Sequence, residues 1–466
     1  MKREIWLEPI RRSKRHLSMT FGIDDLRFET SYWYNDVDFY ALEERYGDEF
    51  MEKVYFHLFL FEANKLWSLK PATINLGPYA RFHTLEFERF WQKISHRAWT
   101  EWRYDEKLPH YKGPVFTSEP VATTGDPVEL KTEGVEVLSF CGGGKDSLVS
   151  MKLLERAEVP YSSLVYSHSI YGTAQYQHDL IDGLLDHCAT HKRHQISVYD
   201  SFVDSPVLSL YPEYGVSSLK AAETPSTTFA ALPIVLQHGY TYMVRGHEHS
   251  ANVGNLIWDA TGEDVNHQWG KSLEAELLIN DYLQKELLTN LSYFSILQPI
   301  YDVVIFNLLR QDVHALANTH SCNYGKPWCK KCAKCAYVWL NYMAYLPPSA
   351  VDPIFNVNLF DMEENQLWFY QMLGLGEHTP FDCIGQIDES RLAFELCKRK
   401  GLTGQAMDVY KAHLPNLDIE PILAKYLTVH DSPSVIPPAF SAQTFSQMRE
   451  AAGEAQHYIK ELVKEG

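Results

Sequence analysis

Apolar and polar positions alternate along this chain in several distinct rhythms. From 27 to 104 aromatic residues crowd together (YWYNDVDFY, YFHLFLFE, LEFERFWQ), and between 42 and 69 the apolar positions recur at helical spacing. This predicts an α+β module over 1–130. The stretch 113–134 (GPVFTSEPVATTGDPVELKTEG) turns to Pro, Gly, Thr and Ser and reads as a connector. After it, the short apolar run 135–140 (VEVLSF) is of the kind a buried parallel strand presents, and it passes through glycines into an amphipathic helix over 146–157. A strand over 163–167, a helix over 178–191, a strand over 195–199, a helix over 229–238 and a strand over 241–244 continue the alternation. Strand and helix units of this length predict an α/β domain with a doubly wound parallel sheet over 131–350. From 273 the pattern is mainly helical to 345, where Pro347 and Pro348 close the domain. The region 351–466 reads as helical, with a proline-rich break at 432–438 and a polar helix over 443–464.

Composition adds limits. At roughly 150 residues per domain, 466 residues are enough for about three, and 45% hydrophobic with 22% charged residues is ordinary for a globular protein. The balance of 42 Lys and Arg against 60 Asp and Glu gives a net charge of −18, which disfavours nucleic acid as a partner because phosphate neutralisation needs a basic surface. The richest apolar run, 228–244, is interrupted by Pro233, Gln237, His238 and Gly239, so no membrane span is expected. The opening MKREIWLEPIRRSKRH has charge without an apolar core behind it, and a cytoplasmic location is expected.

The most informative segment is 139–147, SFCGGGKDS, at the turn from strand to helix. Unpaired N–H groups at a helix amino terminus attract phosphate, and glycines let it approach closely. A Walker A loop would need glycine at Ser139 and Ser or Thr at Asp146; a dinucleotide fingerprint would need glycine at Ser147. Both fail. Gly142, Gly143, Gly144, Lys145, Asp146 and Ser147 instead resemble the PP-loop, S-G-G-x-D-S, of the ATP pyrophosphatase superfamily, with Gly142 in place of the first serine. That resemblance implies a HUP-like sheet and cleavage of ATP between its α and β phosphates. It also implies diphosphate contacts from the N–H groups of Gly143, Gly144 and Lys145, the Lys145 ammonium and the Ser147 hydroxyl. Asp146 would carry Mg²⁺, and Tyr166 and Ser167, at the end of the second strand, would lie by the adenosine.

A second polar loop, 245–252 (RGHEHSAN), directly follows the strand at 241–244, where ligands of parallel sheets bind. Arg245 is a candidate for phosphate, and Glu248 and Asn252 for Mg²⁺ or nucleotide. Cys322, Cys329, Cys332 and Cys335 fall in a C-x6-C-x2-C-x2-C run that offers four thiolates, as structural zinc sites do. It is similar to the site that ends the PP-loop domain of queuosine-pathway nitrile synthases. An iron–sulfur cluster on three of the cysteines, or free thiols, are the alternatives.

Together with HTPFDCIGQIDESRLAF at 378–394, the aromatic segment, the glycine loop and the four cysteines resemble the ATP-dependent UDP-N-acetylmuramoyl-L-alanyl-L-glutamate epimerases of peptidoglycan synthesis, over roughly 28–396. This implies an isomerase that adenylates the terminal glutamate, exchanges its α-proton and releases AMP and diphosphate. The chemistry is coherent: a carboxylate is a poor electron sink, whereas an uncharged acyl-adenylate carbonyl accepts carbanion density as an enolate. Lys145 and Asp146 would serve adenylation. Cys383 is the candidate base at Cα, with Asp382 or His378 holding it or acting instead. A UDP-sugar dipeptide needs cations, for which Arg11, Arg12, Lys14 and Arg15 form the densest cluster and Lys65, Arg103, Lys220 and Arg245 are dispersed candidates. Another PP-loop enzyme (nitrile or amide synthase, sulfurtransferase) and a non-catalytic nucleotide-binding regulator are the competing readings. The oligomeric state is left open.

Overall fold

The computed structural model describes residues 3–132, 134–220, 223–432 and 435–465; positions 433 and 434 of the proline-rich break and 133 of the connector lie outside the described residues. The described strands are β1 (Glu4–Leu7), β2 (Arg11–Ser13), β3 (His16–Ile23), β4 (Leu26–Tyr34), β5 (Thr73–Asn75), β6 (Val115–Phe116), β7 (Val137–Phe140), β8 (Tyr161–His168), β9 (Arg193–Asp200), β10 (Tyr242–Arg245), β11 (Leu256–Trp258), β12 (Glu263–Val265) and β13 (Ser292–Ser295). The four strands expected between 135 and 244 are β7 to β10. One sheet runs β13-β10-β7-β8-β9-β4-β3-β1-β5-β6, with β2 on β3. The strands β13 to β9 are mutually parallel. β4, from the expected N-terminal module, joins β9 antiparallel and extends the same sheet.

Side chains of alternate residues along β7 enter opposite cores. Leu138 and Phe140 pack with the aromatic N-terminal helices, whereas Val137 and Cys141 face the helices Lys145–Arg156 and Ala333–Tyr345. Both faces of the parallel part are therefore covered by helices, and β7 (VLSF) is buried at every position, whereas β9 (RHQISVYD) alternates buried with more exposed residues. β13 is a correction: the region after 273 is not helical throughout, since Ser292–Ser295 pairs parallel with β10. The final helix, Pro438–Glu465, contains the expected polar helix. No helix among the described residues is long and apolar enough to cross a membrane.

The basic cluster at the amino end is not a free arm. Arg11 pairs with Glu29, Arg12 with Glu43 and Lys14 with Asp38. The join between β4 and β9 is held by Lys65, 2% exposed, whose ammonium binds Glu62, Asp200 and Thr30 Oγ1 (3.1 Å). Lys65→Met would leave Glu62 buried without a cationic partner and Asp200 with His168 alone, and should cost about 3–5 kcal/mol, read as a lower urea midpoint.

Candidate active site

Counting from β7, the parallel strands lie in the order 3-2-1-4-5, so the chain reverses its winding between β7 and β10. Ligands in open parallel sheets bind beyond the strand carboxyl ends at such a reversal. The glycine loop follows β7 and the 245–252 loop follows β10, so the topology brings these two candidate segments to one crevice.

Gly144 caps the helix Lys145–Arg156 without a side-chain hydrogen bond, and the Gly142 N–H donates to Ser147 Oγ (3.0 Å). Gly143 has φ +83°, and a Cβ there would lie 1.9 Å from the His320 ring. The His320 N–H in turn donates to the Gly143 carbonyl (2.8 Å). Lys145 is turned inward: it is 1% exposed, and its ammonium bonds Asp146 Oδ1 and Asp302 Oδ1 (2.5 Å each) above the Phe306 ring. Asp302 also accepts from Tyr337 OH (2.7 Å), and its N–H donates to Glu389 Oε1 (2.9 Å). Asp302, Tyr337 and Glu389 were not foreseen as site residues.

Glu248 is 6% exposed, and among the described residues its carboxylate has no hydrogen bond or ion pair. Burial and then the neighbouring Asp146 and Asp302 push its pKa up. A buried carboxylate beside Asp146, free of hydrogen bonds among the described residues and faced by Lys271 and Lys145, is a chemically suitable donor for a divalent cation. Arg245 stacks on Phe140 (3.4 Å) and donates to Thr227 and Thr228 hydroxyls (2.9 and 3.0 Å). Of the dispersed cations, Lys65, Arg103 and Lys220 are held by carboxylates; Arg245 has no carboxylate partner among the described residues. Asn252 is committed to structure: its amide donates to the His249 carbonyl and Gln298, and its Oδ1 accepts the Leu273 N–H. Ser167 Oγ contacts His178 Nδ1 (3.2 Å), and Tyr166 OH meets Tyr32 OH (3.3 Å).

Cys383 lies beside this carboxylate–lysine cluster. Its sulfur, a His267 ring nitrogen and an Asp382 oxygen are within 4.8 Å of one another. Burial pushes the thiol up, but Lys271, His267 and Lys334 outweigh it and hold it at about 7. Lys271 also faces Glu248 and Asp146, which connects the cysteine electrostatically with the glycine loop. Asp382 shapes the turn: it accepts from Asn323 Nδ2 (2.9 Å), the Cys383 N–H (2.7 Å) and the Lys334 N–H (3.1 Å). His378 bonds the Thr379 carbonyl (2.8 Å) and stacks on Phe381. The cationic neighbours of Cys383 are thus Lys334 together with His267 and Lys271, in the short polar segment HQWGK, rather than His378.

The four cysteines converge. Cys322 and Cys332 sulfurs are 3.9 Å apart, Cys329 and Cys335 3.8 Å, and all four lie within 4.8 Å of one another. Backbone N–H groups of Tyr324, Gly325 and Cys329 point at the Cys322 sulfur (3.2–3.4 Å), an arrangement that favours thiolate.

Fold and site together define an α/β protein with a glycine loop at a strand-to-helix turn and a half-buried cysteine beside a cluster of buried charged groups. Family models described as MurL N-terminal domain and MurL C-terminal domain match residues 224–296 and 315–414. It is similar to proteins named UDP-N-acetyl-alpha-D-muramoyl-L-alanyl-L-glutamate epimerase. Those of Salinispora tropica and a Micromonospora species are 28% and 29% identical over 307 residues, 64% of this chain. That of Xanthomonas oryzae pv. oryzae is 30% identical over 308 residues, 62% of this chain. The matches span 63–64% of those relatives' own length. No solved structure matches.

Proposed function

We propose that this protein is an ATP-dependent epimerase that converts the terminal L-glutamate of UDP-MurNAc-L-Ala-L-Glu to D-glutamate through an acyl-adenylate. The relatives' names support the substrate. The single observation that carries the chemistry is a cysteine sulfur within 4.8 Å of a His267 ring nitrogen and facing Lys271, which also faces Asp146 of the glycine loop.

In this reading the N–H groups of Gly143 and Gly144 and the loop's helix terminus receive ATP phosphates, and Arg245 supplies an uncompensated positive charge. Lys145, bridging Asp146 and Asp302, keeps the loop's first helical turn in place. Asp146 and Glu248 would hold Mg²⁺, which supplies positive charge to the phosphates when bound. Cys322, Cys329, Cys332 and Cys335 would hold a structural zinc ion; sulfur pairs at 3.8–3.9 Å fit the edges of a tetrahedron with Zn–S of about 2.3 Å. Cys383, as thiolate, removes the α-proton of the activated glutamyl group to leave an enolate, a proton is returned to the opposite face of Cα, and water then releases AMP and the free carboxylate.

Cys383→Ala should abolish incorporation of deuterium from D₂O at the glutamate α-carbon while substrate-dependent diphosphate release persists. Retained exchange would reject Cys383 as the base. In the parent protein the exchange rate should rise with pH through about 7, because the thiolate is the active form and its fraction grows as pH passes the thiol pKa.

A further inference from the structure

The reading of Cys383 as a base leaves open what keeps it ionised, and the geometry around His267 supplies an answer. His267 follows the β11–β12 hairpin. Its Nδ1 lies 2.6 Å from Glu101 Oε2, and the other Glu101 oxygen is bound by Lys220. With Nδ1 engaged, Nε2 is the ring nitrogen left for Cys383. The backbone is pinned as well: the His267 N–H donates to Asn255 Oδ1 (3.0 Å), and Asn255 Nδ2 donates to Thr379 Oγ1 and the Pro380 carbonyl (2.9 Å each). Asn255 therefore staples the histidine to the segment that leads into Cys383. Glu101 is 7% exposed, on the helix Thr100–Asp105 of the aromatic N-terminal region, outside both segments matched by the family models.

We infer that Glu101 is a positioning residue that fixes His267 as the cationic partner of Cys383, so that the resting site is a thiolate–imidazolium pair. The inference rests on the proposed role of Cys383. The thiol proton passes to His267 Nε2, leaving S⁻ beside an imidazolium; when the thiolate takes the substrate α-proton it becomes a neutral thiol and His267 keeps its charge beside the enolate. The order Glu–His–Cys follows the logic by which a buried carboxylate sets the tautomer and orientation of a histidine that serves a reactive group. Burial alone would push the imidazole down, yet Cys383 and Glu101 raise it to about 10; Glu101 is itself held at about 2, burial being outweighed by His267 and Lys220. The other charged or titratable groups facing Cys383 are Lys271, Lys334, Asp382 and Tyr171. Lys271 and Lys334 add positive charge around Cys383, but His267 is the one of the three whose orientation a buried carboxylate fixes, which singles it out.

The test is peptide-resolved alkylation of Cys383 by iodoacetamide as a function of pH, on the full chain without substrate. The midpoint should fall near 7 in the parent protein, rise by about one unit in Glu101→Gln and by more in His267→Asn, and return toward the parent value in Glu101→Asp. An unchanged midpoint in both Glu101→Gln and His267→Asn would overturn the inference. Should these variants fail to fold, histidine-labelled parent protein answers by NMR: one imidazolium persisting through pH 8 supports the pair, and only neutral imidazoles at pH 8 overturn it. Neither measurement involves turnover, so the pair can fail while Cys383 remains the base, whose own test is deuterium exchange in Cys383→Ala.

Discussion

Gly143→Ala should weaken binding of a non-hydrolysable ATP analogue by about 100-fold, measured by titration calorimetry. The backbone at Gly143 is left-handed, φ +83°, a conformation that costs an L-residue roughly 1–2 kcal/mol. The added methyl would also stand 1.9 Å from His320 Cε1. His320 is 1% exposed, so its ring can give way only by displacing its packed neighbours, and forced repacking of this kind costs about 1–3 kcal/mol. At about 1.4 kcal/mol per decade the sum reaches roughly two orders of magnitude in affinity. Gly142→Ser provides the contrast. A Cβ at Gly142 meets only Ser147 Oγ, at 4.0 Å, so the serine of the superfamily pattern should be accepted with binding retained. Equal loss in both variants would contradict the view that the Gly143–His320 contact shapes the loop.

The glycine loop and the four core strands were legible because their signals are local: short apolar runs, glycines at one strand–helix turn, and cysteines within fourteen residues. β13 was not. Four residues, SYFS, between helical stretches carry too little periodicity, and their strand conformation depends on the long-range partner β10. Nor did sequence rhythm reveal that β4 would continue the parallel sheet across the expected boundary at 130, since antiparallel pairing with β9 joins segments more than 150 residues apart. The inward turn of Lys145 follows from Asp302, and the neighbours of Cys383 from Glu101, His267 and Lys271, all remote in sequence. The lone His267 and Lys271 had no spacing motif to announce them. The polarity of the HQWGK segment just before an amphipathic helix was the available signal, and it does not specify a contact.

Cys332→Ser should depress both substrate-dependent diphosphate release and α-proton exchange together, each by about 100-fold or more, with loss of the zinc proposed for the four cysteines. The reason lies in what the segment around the cysteines touches. Before the first cysteine, His320 is bonded to Gly143, and Ser321 Oγ lies 2.7 Å from where a Gly144 Cβ would stand. Just after Cys322, Asn323 donates to Asp382; between Cys332 and Cys335, the Lys334 N–H donates to the other Asp382 oxygen, and its ammonium reaches the Cys383 carbonyl. One small knuckle thus braces the glycine loop from one side and the Cys383 turn from the other. It has little core of its own: Cys322, Cys332 and Cys335 are buried against Trp328 and Cys329, too few apolar contacts to hold the loop without cross-linking. Structural zinc contributes on the order of 10–16 kcal/mol in isolated knuckle peptides, so losing one of four thiolate ligands should release both attachments. The pattern separates this role from that of Cys383, whose replacement should silence exchange alone. A zinc-free Cys332→Ser protein with both rates intact would show that hydrogen bonding and packing suffice to hold the two halves of the site in register.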